Sequence, residues 1–377
     1  MISYFELNTF LAEYTERNTD NQYKPVAVGR YGIRTRESIY SKELAKDYSK
    51  NKVIFQNTLT VGMGSVQIDI GILTENVKYS VSPAYHTYKI TGINPDYLRY
   101  CLECRNKDMF ERYVKRGSRQ GKTIDLGRWL TYEIPVCETQ EQKEIVSKLD
   151  FVDSLITARR EQLAKLDELV KSRFIELFGS PIANEYGWPI ATLGELCLKI
   201  TDGEHQNPQF VDNGMPMVMA NNVQDKGVVF DGCRYISTEN YEKFSRKCCP
   251  EFGDVLLVSR GATIGRCCIN SESIPFSLMG SVILIKNNKE RISSAYLVNW
   301  LKNEEIKPMI YTTSSASAQQ AIYMKDLVVR KVAVPPMELQ EQYAAFVEQT
   351  DKSKLAIQAS LDKLETLKKS LMQEYFG

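Results

Sequence analysis

The chain repeats itself at long range. Residues 134–142 read Ile-Pro-Val-Cys-Glu-Thr-Gln-Glu-Gln, and residues 334–342 read Val-Pro-Pro-Met-Glu-Leu-Gln-Glu-Gln. Pro135, Glu138, Gln140, Glu141 and Gln142 thus recur at Pro335, Glu338, Gln340, Glu341 and Gln342, an offset of 200. Each copy runs into a stretch free of Pro and Gly. The stretches end alike, LAKLDELVKSRFIELFG at 163–179 and LDKLETLKKSLMQEYFG at 361–377. The offset there is 198, which makes the second stretch two residues shorter. A repeat of this period sets the architecture before any local reading does. It predicts two similar units, each a globular domain followed by a long helix.

The first helical stretch carries apolar residues at Ile145, Leu149, Val152, Ile156, Leu163, Leu166, Val170, Phe174 and Leu177, with Arg159 in the one polar slot. Steps of three and four sustained this long make a heptad seam. At 1.5 Å per residue such a helix spans roughly 60 Å. Gly179 and Pro181 stop it. Ile357, Leu361, Leu364, Leu367 and Leu371 give the second helix a similar seam. A lone helix with one apolar stripe needs a partner, and the second helix supplies one. We expect the two to pair antiparallel within the chain; homodimerisation or ordinary bundle packing would also cover the stripes.

The expected fold class is α+β: two pseudo-symmetric α+β domains separated by a pair of long antiparallel coiled-coil helices. The expected boundaries are 1–137 for the first domain, 138–180 for its helix, 181–336 for the second domain and 337–377 for its helix. Segments 58–64 and 255–261 correspond, as do 93–105 and 292–304. Short strands are expected at 215–220, 227–235, 254–259, 265–269 and 281–286, and a helix at 294–305. The Trp188-Pro189 opening of the second domain, with Thr192 as a helix cap, has no visible counterpart in residues 1–36.

Catalytic constellations are scarce. The chain of 377 residues has two His, His86 and His205. Its nine Cys lack the spacing of a disulfide framework, which reads as reduced thiols in a cytoplasmic protein. No apolar run approaches the ~18 residues a membrane span needs, and residues 1–10 show no secretory signal. Cys101 and Cys104 lack a second ligand pair at zinc spacing and read as one face of a helix over 95–113. Gly117 and Gly121 have three residues between them where a phosphate-binding P-loop has four, and they follow a helix. The tetrapeptide Asn94-Pro95-Asp96-Tyr97 resembles the Asn-Pro-Pro-Tyr signature of amino-methyltransferases, but no glycine-rich cofactor loop lies upstream. It reads better as a helix start. A chain with so little catalytic chemistry is expected to bind or to scaffold.

Charge points to a partner. Residues 1–137 hold 20 Lys and Arg against 15 Asp and Glu, whereas residues 181–336 hold 16 of each. Segment 105–128 alone holds eight against three. Within it Lys115, Arg116, Ser118, Arg119, Gln120 and Lys122 suit nucleic acid: cations neutralise phosphates, and Arg and Gln can pair with base edges. The corresponding segment 311–320 of the second unit is polar and uncharged, with Ser314, Gln319 and Gln320. His205, Gln206 and Asn207 in the turn 201–209, and Arg260, complete the candidate DNA-binding set; 201–209 reads equally well as a plain loop.

Two lobes, each closing on Ile/Val-Pro-x-x-Glu-x-Gln-Glu-Gln and running into a heptad helix, resemble the specificity subunit of a type I restriction–modification system. Phe178-Gly179, Phe376-Gly377, Thr201-Asp202-Gly203 and Phe252-Gly253-Asp254-Val255-Leu256 support the resemblance, which covers essentially the whole chain. It implies that each lobe is a target-recognition domain reading one half of a bipartite sequence in double-stranded DNA. It implies that the helices set the spacing and dock two methylation subunits, with two restriction subunits as further partners. S-adenosylmethionine, ATP and Mg²⁺ would then be bound by those subunits and no cofactor or metal by this chain, which would catalyse nothing. The alternatives are a self-contained DNA adenine methyltransferase, with residues 94–97 as a decayed motif, and a coiled-coil adaptor without a DNA role.

Overall fold

The computed structural model describes residues 2–29, 32–39, 47–117, 121–313 and 320–377. Its contacts divide it into two units, Met1–Arg160 with Ala359–Gly377, and Glu161–Gln358. The chain begins with β1 (Ser3–Glu6), β2 (Leu11–Glu13), β3 (Val26–Gly29), β4 (Gly32–Thr35), β5 (Lys52–Ile54), β6 (Thr58–Met63), β7 (Ile68–Leu73), β8 (Tyr79–Val81) and β9 (His86–Ile90). Then come α1 (Pro95–Tyr113), β10 (Val114–Gly117), β11 (Gly121–Ile124), α2 (Leu126–Trp129), β12 (Glu133–Val136) and α3 (Thr139–Phe178). The second round opens with β13 (Ile190–Thr192), β14 (Cys197–Asp202), β15 (Phe210–Val211), β16 (Met215–Val218), β17 (Val223–Gln224), β18 (Gly227–Val228), β19 (Arg234–Ile236) and α4 (Thr238–Ser245). It continues through β20 (Val255–Val258), β21 (Cys267–Ile269), β22 (Ser277–Leu278), β23 (Val282–Asn287), α5 (Ser294–Lys302), α6 (Lys307–Ile310), β24 (Thr312–Thr313) and β25 (Gln320–Ala321). It closes with α7 (Met324–Val328), β26 (Lys331–Ala333) and α8 (Met337–Phe376).

In the first unit, an antiparallel sheet in the order β2–β9–β6–β7 is backed by α1. Leu59, Val61 and Tyr88 from the sheet meet Tyr97, Leu98, Cys101 and Leu102 from the helix in one core. Asn94 caps α1, its side-chain oxygen accepting from the N–H groups of Asp96 and Tyr97 at 2.9 and 3.1 Å. Pro95 follows at the first helical position, where a missing N–H costs nothing. Cys101 is wholly buried, and the Cys104 thiol donates to the Met372 carbonyl, so the pair serves packing. Ile145 and Leu149 of α3 and Met372 and Phe376 of α8 close the core. Two ion pairs fix the helix direction: Lys368 meets Asp153 at 2.9 Å, and Glu365 meets Arg160 at 2.6 Å. Numbers rise along one helix as they fall along the other, so the pairing is antiparallel.

The second unit repeats the plan, with a sheet in the order β14–β23–β20–β21 backed by α5. Val170, Phe174 and Phe178 of α3 share its core with Tyr343 of α8, whose hydroxyl donates to the Val170 carbonyl. Lys354 meets Asp167 at 2.7 Å, again antiparallel. Between the first and second sheet strands the units differ. The first unit inserts the hairpin β3–β4 and strand β5, paired with β8; the second inserts α4, the pair β17–β18 and most of a second sheet, β15–β19–β16–β22. The run expected at 227–235 divides into β18 and β19, with Gly232 at a positive φ of 70° between them.

Three expectations need correction. First, the helices are equally long, 40 residues each, and α8 starts 198 residues after α3. Hydrogen bonding shows the same register. Gln142 Oε1 accepts from Asn94 N–H at 2.9 Å while its amide donates to the Cys137 carbonyl; Gln340 Oε1 accepts from Ser293 N–H at 2.8 Å while its amide donates to the Pro335 carbonyl. Gln142 therefore corresponds to Gln340, and the letter match at 200 is a two-residue slip. Second, Leu367 is not on the seam. It is 45% exposed, and Lys368 turns inward with its ammonium 5.5 Å from the Tyr100 ring centroid and paired with Asp153. The long Lys stem covers apolar surface while its head finds a carboxylate. Third, the first unit opens as the second does, without a Trp-Pro signal. β1 pairs with β12 as β13 pairs with β26. The wholly buried Leu7 and Leu193 then donate their N–H groups to the Tyr132 and Arg330 carbonyls.

Candidate nucleic-acid interface

In each unit the candidate residues gather at one end of the central sheet, and strand register shows why. In the first unit β6 runs toward Met63, and β9 begins at His86 opposite Val61. The β6–β7 turn at 64–67 and the loop before β9 therefore share one end. The hairpin β10–β11 joins them there. Its register places Lys115 opposite Thr123 and Arg116 opposite Lys122. The Lys122 ammonium donates to the Ser65 carbonyl in that turn and lies 5.2 Å from the Phe110 ring centroid. A carbonyl fixes the ammonium without neutralising it, so the positive charge stays available.

Lys115 is paired with Asp125 at 2.6 Å. Lys115 and the Arg128 N–H, which Asp125 also caps, hold the Asp125 carboxyl below its usual range. A surface pair of this kind is weak and exchangeable. Arg116 is described as backbone in β10; Ser118, Arg119 and Gln120 lie outside the described residues.

In the second unit β20 ends at Val258, and β23 begins opposite it at Val282. Asp202, at the end of β14, stands opposite Ile283, so residues 203–209 leave from the same end. Hairpin β24–β25 reaches it too: Ile322 N–H donates to the Ser259 carbonyl, and Arg260 bridges to Ala321. The Arg260 guanidinium lies 5.9 Å from the Tyr323 ring centroid. The structure thus brings His205, Gln206, Asn207, Arg260 and Gln320 to one sheet end. All five are exposed. Ser314 and Gln319 lie outside the described residues.

His205 is held more firmly than a plain loop residue. Its Nε2 lies 2.5 Å from Asp202 Oδ2, and the ring packs where a Cβ on Gly280 would fall, 2.4 Å from Nδ1. The backbone at Gly203 approaches the Leu278 carbonyl so closely that a Cβ would sit 2.1 Å from it, which only glycine permits. Lys247, just beyond α4, donates to Asp202 Oδ1 at 2.7 Å. Partial burial works against ionisation of Asp202, but Lys247 and His205 outweigh it and hold the carboxyl below its usual range. Sequence reasoning passed over Lys247, because nothing in its spacing links it to a carboxylate 45 residues away.

Residues 94–97 have no spare chemistry. The Asn94 oxygen is spent on capping, and Tyr97 is 1% exposed with its hydroxyl on the Pro135 carbonyl. That leaves neither a free Asn94 oxygen to accept from a base amine nor an exposed aromatic face to stack one. Among the described residues no group of three or more His, Cys, Asp and Glu could hold a metal, and no helix is long and apolar enough to cross a membrane.

Comparison with known proteins gives a consistent picture. A family model described as type I restriction modification DNA specificity domain matches residues 9–168 and again 185–368. Two curated relatives come from Methanocaldococcus jannaschii. The putative type I restriction enzyme MjaX specificity subunit is 24% identical over 290 residues, 74% of this chain and 67% of that protein. The type I restriction enzyme MjaIX specificity subunit is 20% identical over 281 residues, 68% of this chain and 62% of that protein. Among solved structures, the S subunit of the M. genitalium type I restriction–modification system is similar with a TM-score of 0.56 at 16% identity, covering 100% of this chain and 96% of its own. A chain from a study of complex assembly and conformational transition in a type I system is similar with a TM-score of 0.58 at 20% identity, covering 100% and 97%. At these identities the two structures speak for the fold.

Proposed function

We propose, from the premise that the chain belongs to the type I restriction modification DNA specificity family, a division of labour between its two units. The chain is the non-catalytic DNA-recognition subunit of a type I restriction–modification complex. In our reading each unit recognises one half of a bipartite target in double-stranded DNA. One observation carries this: the same sheet, in the same strand order, presents a hairpin and loops at the same end in both units, while the insertions beside those loops differ. A shared scaffold with different insertions suits two readers of two different sequences.

The chemistry at the two ends differs accordingly. The first unit offers Lys122 and the Lys/Arg-rich hairpin, suited to phosphates and guanine edges. The second offers His205, Gln206, Asn207 and Gln320 around one Arg, a set suited to hydrogen bonds with base edges. The helices α3 and α8 would carry two methylation subunits, and two restriction subunits would join the assembly. S-adenosylmethionine, ATP and Mg²⁺ would be bound by those partners. The decisive experiment exchanges residues 14–57, the first unit's insertion, for those of a relative with another target. Methylation mapping across a genome should then report one altered half-sequence and one unaltered. Change in both halves, or in neither, would refute one reader per unit.

A further inference from the structure

The first unit carries a second basic feature at the same sheet end, built from residues no DNA contact has been assigned to. Beyond β2, Tyr14 N–H donates to the Thr87 carbonyl and Val53 N–H to the Glu16 carbonyl, and Arg17 bridges to Lys52. This strip runs past the start of β9, so it lies at the end where the 64–67 turn is gripped by Lys122. There Arg17, Thr19, Ser49, Lys50 and Pro83 line a concavity of about 610 Å³.

Its electrostatics are incomplete. Arg17 Nη1 donates to the Lys50 carbonyl at 2.6 Å, which fixes the guanidinium without neutralising it. Among the described residues neither Arg17 nor Lys50 takes part in an ion pair. A third cation is close in the fold: Lys52, which bridges to Arg17, is a buried residue whose ammonium donates to the Tyr85 carbonyl at 2.7 Å. Burial, with Arg17 adding repulsion, pushes that amine below its usual range. The nearby Asp47 carboxylate is occupied by the N–H and hydroxyl of Ser49 at 2.8 and 2.9 Å. Arg17 and Lys50 line one open hollow beside Thr19 and Ser49, and among the described residues no ion pair neutralises either of them there. An oxyanion with several acceptors fits a fixed guanidinium beside a free ammonium.

We infer that this concavity seats a backbone phosphate of the DNA beside the half-sequence read by the first unit, through Arg17 and Lys50. The inference rests on the DNA-recognition reading above. A phosphate seat fixes the register of the unit on the duplex and carries no sequence information. Unlike the β10–β11 hairpin, Arg17, Thr19, Ser49 and Lys50 belong to the insertion in which the units differ.

The test uses the chain assembled with its methylation subunits, comparing wild type with Arg17→Gln and Lys50→Gln. Lys50→Gln keeps the carbonyl that Arg17 grips, so it reports on charge without disturbing the loop. Each variant should flatten the plot of log K against log salt by about 0.9. Between 50 and 200 mM salt it should lose roughly 3- to 4-fold less affinity than wild type does. The methylated sequence should stay the same. An unchanged slope in Lys50→Gln, with wild type binding normally, overturns the phosphate seat and leaves the recognition reading standing. An altered methylated sequence overturns it in favour of base reading. Titration with inorganic phosphate separates the other source: tight binding lost in the variants, with DNA binding unmoved, makes the hollow a free-anion site and overturns the inference. A wild-type complex that ignores its target DNA overturns both readings together.

Discussion

Gln142 joins three elements through Asn94: its Oε1 accepts from the Asn94 N–H at 2.9 Å, at the cap of α1, while its amide donates at 2.8 Å to the Cys137 carbonyl past β12. The side chain belongs to α3 and is 3% exposed. Gln340 does the same for Ser293 and Pro335 in the second unit and is fully buried. Each long helix is thereby fastened at its first turn to the helix that backs its own sheet.

Removing the fastening should cost the first unit its stability. Gln142→Leu takes this partner from the half-buried Asn94 N–H and the buried Cys137 carbonyl, at about 1–3 kcal/mol for the buried group and less for the other. Gln142→Glu keeps the acceptor but buries a carboxylate oxygen against the Cys137 carbonyl, so near neutral pH its cost should be no smaller than that of Gln142→Leu. Urea unfolding of both variants checks the order. Equal midpoints for wild type and Gln142→Leu would show that the amide holds nothing.

The inward turn of Lys368 gives a paired prediction. Lys368→Ala loses the Asp153 pair and the packing on Tyr100 and should destabilise by about 1 kcal/mol or more. Leu367→Gln, one residue away on an exposed position, should stay within about 0.5 kcal/mol. The reverse order in denaturation would restore the Leu367 seam.

Asp202 makes stability depend on acid. Its folded pKa is depressed, so its contribution is present above the unfolded value of about 3.9 and disappears as pH falls through the folded value. Asp202→Asn should therefore be less stable than wild type at pH 7, and the gap should close below about pH 4. A gap of constant size from pH 7 down to pH 3 would mean that the carboxylate's charge is not what holds Lys247 and His205.

The hairpin of the first unit should report itself through salt. In the assembled complex, Lys122→Ala should lower the salt slope by about one if the ammonium meets a phosphate. The triple variant with Arg116→Ala and Arg119→Ala should weaken binding further. Competition binding at two salt concentrations separates these outcomes from an idle loop, which would leave both affinity and slope unchanged.

Much of this was readable from residue patterns. The seam Ile145, Leu149, Val152 and Ile156 is buried as periodicity requires, and α1 spans 95–113 as its cap and helix formers dictate. Thr192 caps the short helical turn after β13 with a full capping box. The repeat register was misread because matching letters, Pro135 with Pro335 and Gln142 with Gln342, outweighed roles that no letter shows. The role of Gln142 passes to Gln340, whose neighbours differ, because a buried N–H needs its acceptor in one place only. Leu367 misled for a related reason: hydrophobicity favoured it, while the carboxylate awaiting Lys368 lay on another helix. The shared sheet end was invisible for lack of strand order, since His205, Arg260 and Gln320 are brought together by pairing alone.

The closing of the first core by Met372 and Phe376 bears on how the protein is made. The first unit takes residues 1–160 from the start of the chain and 359–377 from its far end. Arg105 donates to the Phe376 carbonyl at 2.6 Å, and the Phe376 ring meets Tyr97 at 5.0 Å between centroids. On the ribosome this surface stays open while about 200 further residues are added, roughly 10–40 s at ~5–20 residues per second. The second unit, drawn from the unbroken stretch Glu161–Gln358, is complete sooner after its first residue emerges. Of the two units, the one begun first is therefore the one completed last, and until residues 359–377 emerge the Tyr97 ring lacks the Phe376 ring that packs on it.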